Sequence, residues 1–301
     1  MTSVVSTHAL TKRYGSVTAV DGVDLDIREG DLFALLGPNG SGKSTTFRML
    51  LGLVYATSGE IELLGHSMPS AASRTLPHVG SLIEGPAFYP HHSGRTNLAL
   101  LDASSGNGHR TRRARIREAL ERVGLDAGRL PYRAYSTGMK QRLALAAALS
   151  RPRRLLLLDE PTNGLDPSGT REMRDLLLEL QRSGTTIVVS SHLLTEIELI
   201  CTRAAILSEG RLVAQSKVQD LLSPSQSVIV VTHDVEDAVS AAGSISGVSV
   251  TEQTPEGVVL DLNGAEASKV NASLVSAGVR VREFTLKRER LEDVFLRLTG
   301  S

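Results

Sequence analysis

Residues 37–45 read Gly-Pro-Asn-Gly-Ser-Gly-Lys-Ser-Thr, and no other stretch constrains the chain so tightly. The run fits G-x-x-x-x-G-K-[ST], with a third glycine inside it. Ahead of it stands Leu32-Phe33-Ala34-Leu35-Leu36, a short apolar run that predicts a buried strand. Behind it, Thr45-Thr46-Phe47-Arg48-Met49-Leu50-Leu51 predicts the first turns of a helix. Strand, glycine loop and helix in that order make a cradle for phosphate. Phosphate oxygens need donors at short range, and backbone N–H groups supply them only where no side chain intervenes. Glycine permits that approach and the positive φ angles of the wrap. The helix start adds about half a positive charge. Lys43 is then expected to reach the β- and γ-phosphates and the Ser44 hydroxyl to ligate Mg²⁺. The binding set is Gly37, Pro38, Asn39, Gly40, Ser41, Gly42, Lys43, Ser44 and Thr45. A glycine turn that binds nothing is the poorer reading, because pattern and flanks are both complete.

Further along, Leu155-Leu156-Leu157-Leu158 predicts a strand buried on both faces, as in a parallel sheet, and it ends in Asp159-Glu160. Ligands of open α/β sheets sit at such strand ends. Asp159 suits a Mg²⁺ ligand and Glu160 a group that polarises water for in-line attack. A third strand, Thr185 to Ser190, ends in Ser191-His192, and His192 is placed to hydrogen-bond a γ-phosphate. His233 has a similar local setting, but it lies beyond Pro224, where a new segment starts, and reads as an ordinary strand-end histidine. Between these strands, Tyr135-Ser136-Thr137-Gly138-Met139 precedes the helical run Leu143 to Leu149. A serine and a glycine before a helix make a second potential anion site, though a plain N-cap looks the same. Tyr14, in a turn ahead of the antiparallel strands expected over residues 4–36, reads by itself equally as a ring face offered to a base or as a tyrosine lining a strand end. Arg110 to Arg122, with Ile116, Leu120 and Val123 at helical spacing, reads as a solvated amphipathic helix; Glu118 and Glu121 interrupt the charge.

Lys+Arg and Asp+Glu each number 33 among the 301 residues, so the formal charge is zero and a polyanion is not the expected partner. One cysteine, Cys201, excludes an intramolecular disulfide framework and reads as a small buried hydrophobe. No secretory leader, spanning helix or lipidation signal is expected, so any work at a membrane requires another chain to hold this one there. The expected division is a domain over residues 1–222, with a helical subdomain at about 85–150, and a small α+β accessory domain over 223–301. In the latter, strands are expected at 227–232, 247–252, 257–262 and 279–286, and helices at 234–242, 265–277 and 289–299.

Over roughly residues 3–220, these pieces in this order resemble the ATP-binding cassette (ABC) ATPases. Tyr14 matches the aromatic A-loop residue, 37–45 Walker A, 81–86 the Q-loop region and 135–139 the signature. Residues 155–160 match Walker B, Gly164-Leu165-Asp166-Pro167 the D-loop, and His192 the switch histidine. Two departures stand out. The signature reads Tyr-Ser-Thr-Gly-Met where many members have Leu-Ser-Gly-Gly-Gln, and Glu84 stands where most have the Q-loop glutamine. The resemblance implies an α/β P-loop ABC-type cassette with a mixed sheet core, an antiparallel β lobe and a helical subdomain. It implies ATP and Mg²⁺ as ligands, with Ser44, Asp159 and Glu84 facing the metal. It implies a head-to-tail pair of nucleotide-binding subunits, expected to be a homodimer. In that pair Ser136, Thr137, Gly138 and Met139 of one chain act on ATP held by the other, and Asp166 lies at the junction. It also implies a separate transmembrane permease, a place on the inner face of the cell membrane, and no nucleic-acid partner.

Ile83-Glu84-Gly85-Pro86, Phe88-Tyr89-Pro90 and Gly94-Arg95-Thr96-Asn97-Leu98 look like the bacitracin and lantibiotic export or immunity ATPases. The ending Leu291 to Gly300 is similar to the daunorubicin-type drug-export group. The expected function is therefore ATP hydrolysis driving export of antibiotic, peptide or drug-like compounds. The alternative is a non-transport ABC ATPase acting on ribosome or DNA, although neither a second phosphate loop nor sustained heptads occur.

Overall fold

The computed structural model describes residues 2–83, 88–104, 109–126, 128–191, 193–222, 224–288 and 290–299. The chain falls into two compact units, Met1–Val218 with Phe295–Ser301, and Gln219–Val294. In the first, β1 (Ser3–Tyr14), β2 (Val17–Val23), β3 (Asp26–Arg28) and β4 (Leu32–Leu36) precede helix α1 (Lys43–Leu50). Then come β5 (Ser58–Leu63), β6 (His66–Met68), α2 (Ala72–Thr75), β7 (Val79–Leu82), α3 (Gly94–Ser104), α4 (Arg112–Arg122) and α5 (Thr137–Leu149). The unit continues through β8 (Leu155–Asp159), α6 (Pro167–Arg182), β9 (Thr186–Ser190), α7 (Leu194–Ile200), β10 (Arg203–Ser208) and β11 (Arg211–Lys217). A short helix, α8 (Val218–Leu221), follows.

Among the described residues, β11-β10-β4-β9-β8-β7 form a sheet that is parallel except for β11, which is antiparallel to its neighbour. All five residues of β4 and the four leucines of β8 are buried. Unbroken apolar runs of this kind belong to strands covered on both faces. A second sheet, β2-β1-β5-β6 with β3 on β1, is antiparallel. Phe47, Met49 and Leu50 of α1 join the same core as Phe33 and Leu35 of β4 and Leu10 of β1. The phosphate loop is thereby held by buried structure at both of its ends.

The expected helical subdomain contains α3, α4 and α5. Asp102 of α3 is buried and accepts hydrogen bonds from Arg112 Nε (3.0 Å) and Arg115 Nη2 (2.8 Å) of α4. Those pairs set the rotation of α4. Its buried positions are Ile116, Ala119 and, just beyond the helix, Val123, whereas Leu120, expected in the stripe, is only half-buried. Helix α6 reads as its sequence dictates. Asp166 caps it by accepting from the Gly169 N–H at 2.9 Å, Pro167 opens it, and Met173, Leu177 and Leu180 form its buried stripe.

The second unit contains β12 (Pro224–Val231), α9 (Val235–Gly243), β13 (Ser249–Thr254), β14 (Gly257–Asp261), α10 (Ala267–Ser276) and β15 (Glu283–Arg288). Helix α11 (Leu291–Thr299) ends the described chain. The antiparallel order β13-β14-β12-β15 with this β-α-β-β-α-β sequence is a split βαβ arrangement. Val228, Val230, Leu260, Ala238, Val270 and Leu274 belong to its own core. The strands and helices expected here are all present, with ends displaced by up to four residues. Cys201, in the first unit, is buried, and burial pushes its thiol up, well away from thiolate chemistry at neutral pH.

Candidate active site

The loop expected to hold phosphate runs from the end of β4 to the start of α1. Gly42 stands immediately before the helix with φ +99°, and a Cβ there would lie 2.5 Å from the Ala19 carbonyl oxygen of β2. Only glycine satisfies both conditions. The first N–H groups of a helix have no intrahelical acceptor. Thr46 N–H returns to the Gly42 carbonyl at 2.8 Å, so the amides of Lys43, Ser44 and Thr45 precede the first helical bond. The Lys43 ammonium arches back over its own loop, donating to the carbonyls of Gly37 (2.7 Å) and Pro38 (3.0 Å). Burial pulls the Lys43 pKa down, and the nearby Glu160 and Asp159 oppose that shift. The Ser41 hydroxyl is buried in the loop with no hydrogen-bond partner among the described residues.

The acid pair comes to the loop because β8 and β4 both flank β9 in the parallel sheet. Ser44 Oγ donates to Asp159 Oδ2 at 2.7 Å. Beside them, a cleft of about 780 Å³ is lined by loop residues Asn39, Gly40, Gly42, Lys43, Ser44 and Thr45, and by Asp159 and Glu160. Tyr14 and Ala19 border it from the antiparallel lobe, Thr137 and Gln141 from α5, and Asn163 and Gly164 from the turn after β8. Tyr14 is the last residue of β1 and is 46% exposed, with Lys12 Nζ 4.9 Å from its ring centroid. A ring so placed keeps a face available to a base.

Of the remaining expected site residues, Pro38 and Ser41 lie in the loop itself. Ser136 is the N-cap of α5, its hydroxyl accepting from the Met139 N–H at 3.2 Å. Gly138 stands in the first turn of that helix, where a Cβ would meet Leu165 at 3.3 Å. Asp166 uses its carboxylate to cap α6. Glu84 and His192 lie outside the described residues. His233 is in the second unit, its ring 3.0 Å from Arg282 Nη1. Among the described residues at the site, Ala19, Leu82, Gln141, Asn163 and Ser190 were not singled out from sequence. Gln141 follows Thr137 by four residues and shares its helix face, a signal present in the spacing. Ser190 is opposite Asp159 in the β8–β9 ladder, a relation that only strand pairing creates.

The residues fit Mg²⁺ in a particular way. Among the described residues, no three His, Cys, Asp or Glu side chains group as a metal cage. One carboxylate and one hydroxyl, Asp159 and Ser44, are the sparse donor set of an ion whose shell is completed by phosphates and water. The unpartnered Ser41 hydroxyl and the glycine-lined loop likewise fit a nucleotide's phosphate chain.

Loop, acid pair and parallel sheet define a P-loop nucleotide-binding ATPase cassette. The family profile described as ABC transporter matches residues 20–163. The bacitracin transport ATP-binding protein BcrA of Bacillus licheniformis is 37% identical, over 100% of this chain and 98% of its own. The daunorubicin resistance ATP-binding protein DrrA3 of Streptomyces coeruleorubidus is 35% identical, over 99% and 96%. The dimeric, post-hydrolysis structure of the ATP-binding cassette MJ0796 bound to ADP and Pi is 26% identical with a TM-score of 0.64, over 71% of this chain and 98% of that one. The chain belongs to the ABC transporter family, as one of its ATP-binding, ATP-hydrolysing subunits. Among the described residues, no helix is long and apolar enough to cross a membrane.

Proposed function

We propose that this subunit hydrolyses Mg²⁺-bound ATP to drive the export of antibiotic, peptide or drug-like compounds through a separate membrane subunit, on the inner face of the membrane. One observation carries the reading. The phosphate loop and the Asp159–Glu160 pair converge on one cleft in a chain that is similar along its whole length to bacitracin-transport and daunorubicin-resistance ATP-binding proteins. A non-transport role on ribosome or DNA draws no support from such relatives.

Each residue contributes what its position allows. Tyr14 stacks on the base. The loop amides and Lys43 hold the β- and γ-phosphates, and release of Lys43 from the Gly37 and Pro38 carbonyls frees its donors for them. Ser44 and Asp159 would hold Mg²⁺, which would supply neutralisation of the charge that builds on the phosphate chain. Glu160 accepts a proton from the attacking water, and His192 hydrogen-bonds the transferred phosphate. In a head-to-tail homodimer, Ser136 and Gly138 of the second copy close on the γ-phosphate, with Thr137 and Met139 beside them and Asp166 at the junction. Hydrolysis removes those bridging contacts and reopens the pair, a population shift that the membrane subunit reads. The accessory domain expected over residues 223–301 is assigned to the second unit, residues 295–301 grouping with the first, and Glu84 would help hold the metal from the Q-loop position.

Glu160→Gln is expected to cut turnover by on the order of 10²–10⁴ while ATP binding persists. The decisive experiment is a tagged pull-down of that variant with ATP from detergent-solubilised cells, with mass spectrometry of the co-purifying chains. A multi-span membrane protein at stoichiometric yield supports the transporter reading. Ribosomal proteins or DNA factors with no membrane chain overturn it.

A further inference from the structure

Ser190, the last residue of β9, is fully buried, and its hydroxyl bridges the two acids at the end of the neighbouring strand. It donates to Asp159 Oδ1 at 2.5 Å and accepts from the Glu160 N–H at 2.9 Å. The Ser190 carbonyl takes the same N–H at 3.2 Å. The other oxygen of Asp159, Oδ2, accepts from Ser44 at 2.7 Å. One hydroxyl therefore divides the two oxygens of Asp159, turning Oδ2 toward the phosphate loop.

Its second partner is unusual. Glu160 has φ +49°, in the left-handed region, where a non-glycine residue persists only if its surroundings over-determine it. Here they do. The Glu160 N–H is held by Ser190, and its carbonyl accepts from Gln141 Nε2 and from the Asn163 N–H, each at 3.1 Å. The turn that aims the Glu160 side chain is thus fastened at its amide end by a residue of another strand. A hydroxyl can donate once and accept twice, so the serine side chain serves both acids together; alanine or valine would leave Asp159 Oδ1 without that donor and the Glu160 N–H with the residue-190 carbonyl alone.

We propose that Ser190 is a positioning residue for ATP hydrolysis, its single hydroxyl setting both the orientation of Asp159 toward Ser44 and the left-handed turn of Glu160. The inference rests on the reading of Glu160 as the water-activating base and of Asp159 as the Mg²⁺ ligand. Its signature is a loss in turnover and in the Mg²⁺-dependent part of ATP affinity, with Mg²⁺-free ATP binding preserved.

The test uses the full chain as Ser190→Ala, Ser190→Thr, Glu160→Gln and the double variant Ser190→Ala/Glu160→Gln. Turnover is followed by phosphate release, and ATP binding by isothermal titration with and without Mg²⁺. Loss of an outer partner of a metal site commonly costs about 10–100-fold. Ser190→Ala is expected to lose that much in kcat with little change in KM, and to show a smaller gain in ATP affinity on adding Mg²⁺. Ser190→Thr, which keeps the hydroxyl, is expected to recover most of both. The double variant is expected to lose less relative to Glu160→Gln than Ser190→Ala loses relative to the wild type, the part acting through Asp159 remaining, because residues acting through one another are not additive. Wild-type kcat and Mg²⁺ gain in Ser190→Ala, beside a slow Glu160→Gln, overturn this proposal alone. Equal losses in Ser190→Ala and Ser190→Thr, with lowered unfolding midpoints in both, make Ser190 a packing residue and overturn it as well. Full turnover in Glu160→Gln overturns the base reading beneath it instead.

Discussion

Two glycines, three positions and one position ahead of the first residue of α1, allow a backbone penalty to be separated from a steric one. Gly40 and Gly42 have similar angles, φ +83° and +99°. Among the described residues, a Cβ at Gly40 would meet nothing within 4 Å, whereas at Gly42 it would lie 2.5 Å from the Ala19 carbonyl oxygen and 3.1 Å from Val20 Cγ2. Neither neighbour retreats easily. Val20 is fully buried and its strand is paired with β1, Lys12 opposite Val20. Alanine in the left-handed region costs about 1–2 kcal/mol at either site. It also restricts the unfolded chain, an effect of about 0.4–1 kcal/mol in the opposite direction that is common to both variants. Only Gly42→Ala adds overpacking against fixed structure, about 1–3 kcal/mol. The nucleotide-free Gly42→Ala chain is therefore expected to be less stable than Gly40→Ala by about 1–3 kcal/mol, the overpacking contribution alone. Urea unfolding with linear extrapolation measures the difference, and equal slopes confirm a common denatured state. Two variants within about 0.5 kcal/mol of each other would refute the argument, because this is the scatter of changes that touch nothing.

Other expectations follow from the site. Tyr14→Ala should weaken ATP binding by about 1–3 kcal/mol, the worth of stacking one base on an aromatic ring, and Tyr14→Phe should retain it; equal affinities in a fluorescence titration would remove Tyr14 from the base site. Lys43 predicts a pH dependence. Burial lowers its folded pKa below the ordinary 10.5, so in the window just under that value the unfolded chain holds more protons and stability rises with pH. Urea midpoints across that alkaline window should rise more steeply in the wild type than in Lys43→Met, and identical slopes would contradict the burial account.

Much of the site was legible from local chemistry. The strand–glycine loop–helix order, the leucine run ending in two acids and the Asp-Pro opening of α6 each specify local geometry through neighbouring residues alone. The second unit was equally legible, because alternating apolar runs separated by turn residues mark short strands without any need of their partners. The rotation of α4 was not. Spacing favoured Leu120 for the buried stripe, but pairing of Arg112 and Arg115 with buried Asp102 turned Ala119 inward instead.

Sequence alone determined that a phosphate loop would form and that an acid pair would end a buried strand, since glycine freedom, apolar runs and strand-end carboxylates are properties of consecutive residues. Only the tertiary structure decided that Ser44 meets Asp159 across 115 positions and that Ser190 joins Asp159 to Glu160. Those contacts depend on which strands lie side by side and in what register. That register is set by packing of the whole sheet, and no local pattern around Ser190 encodes it.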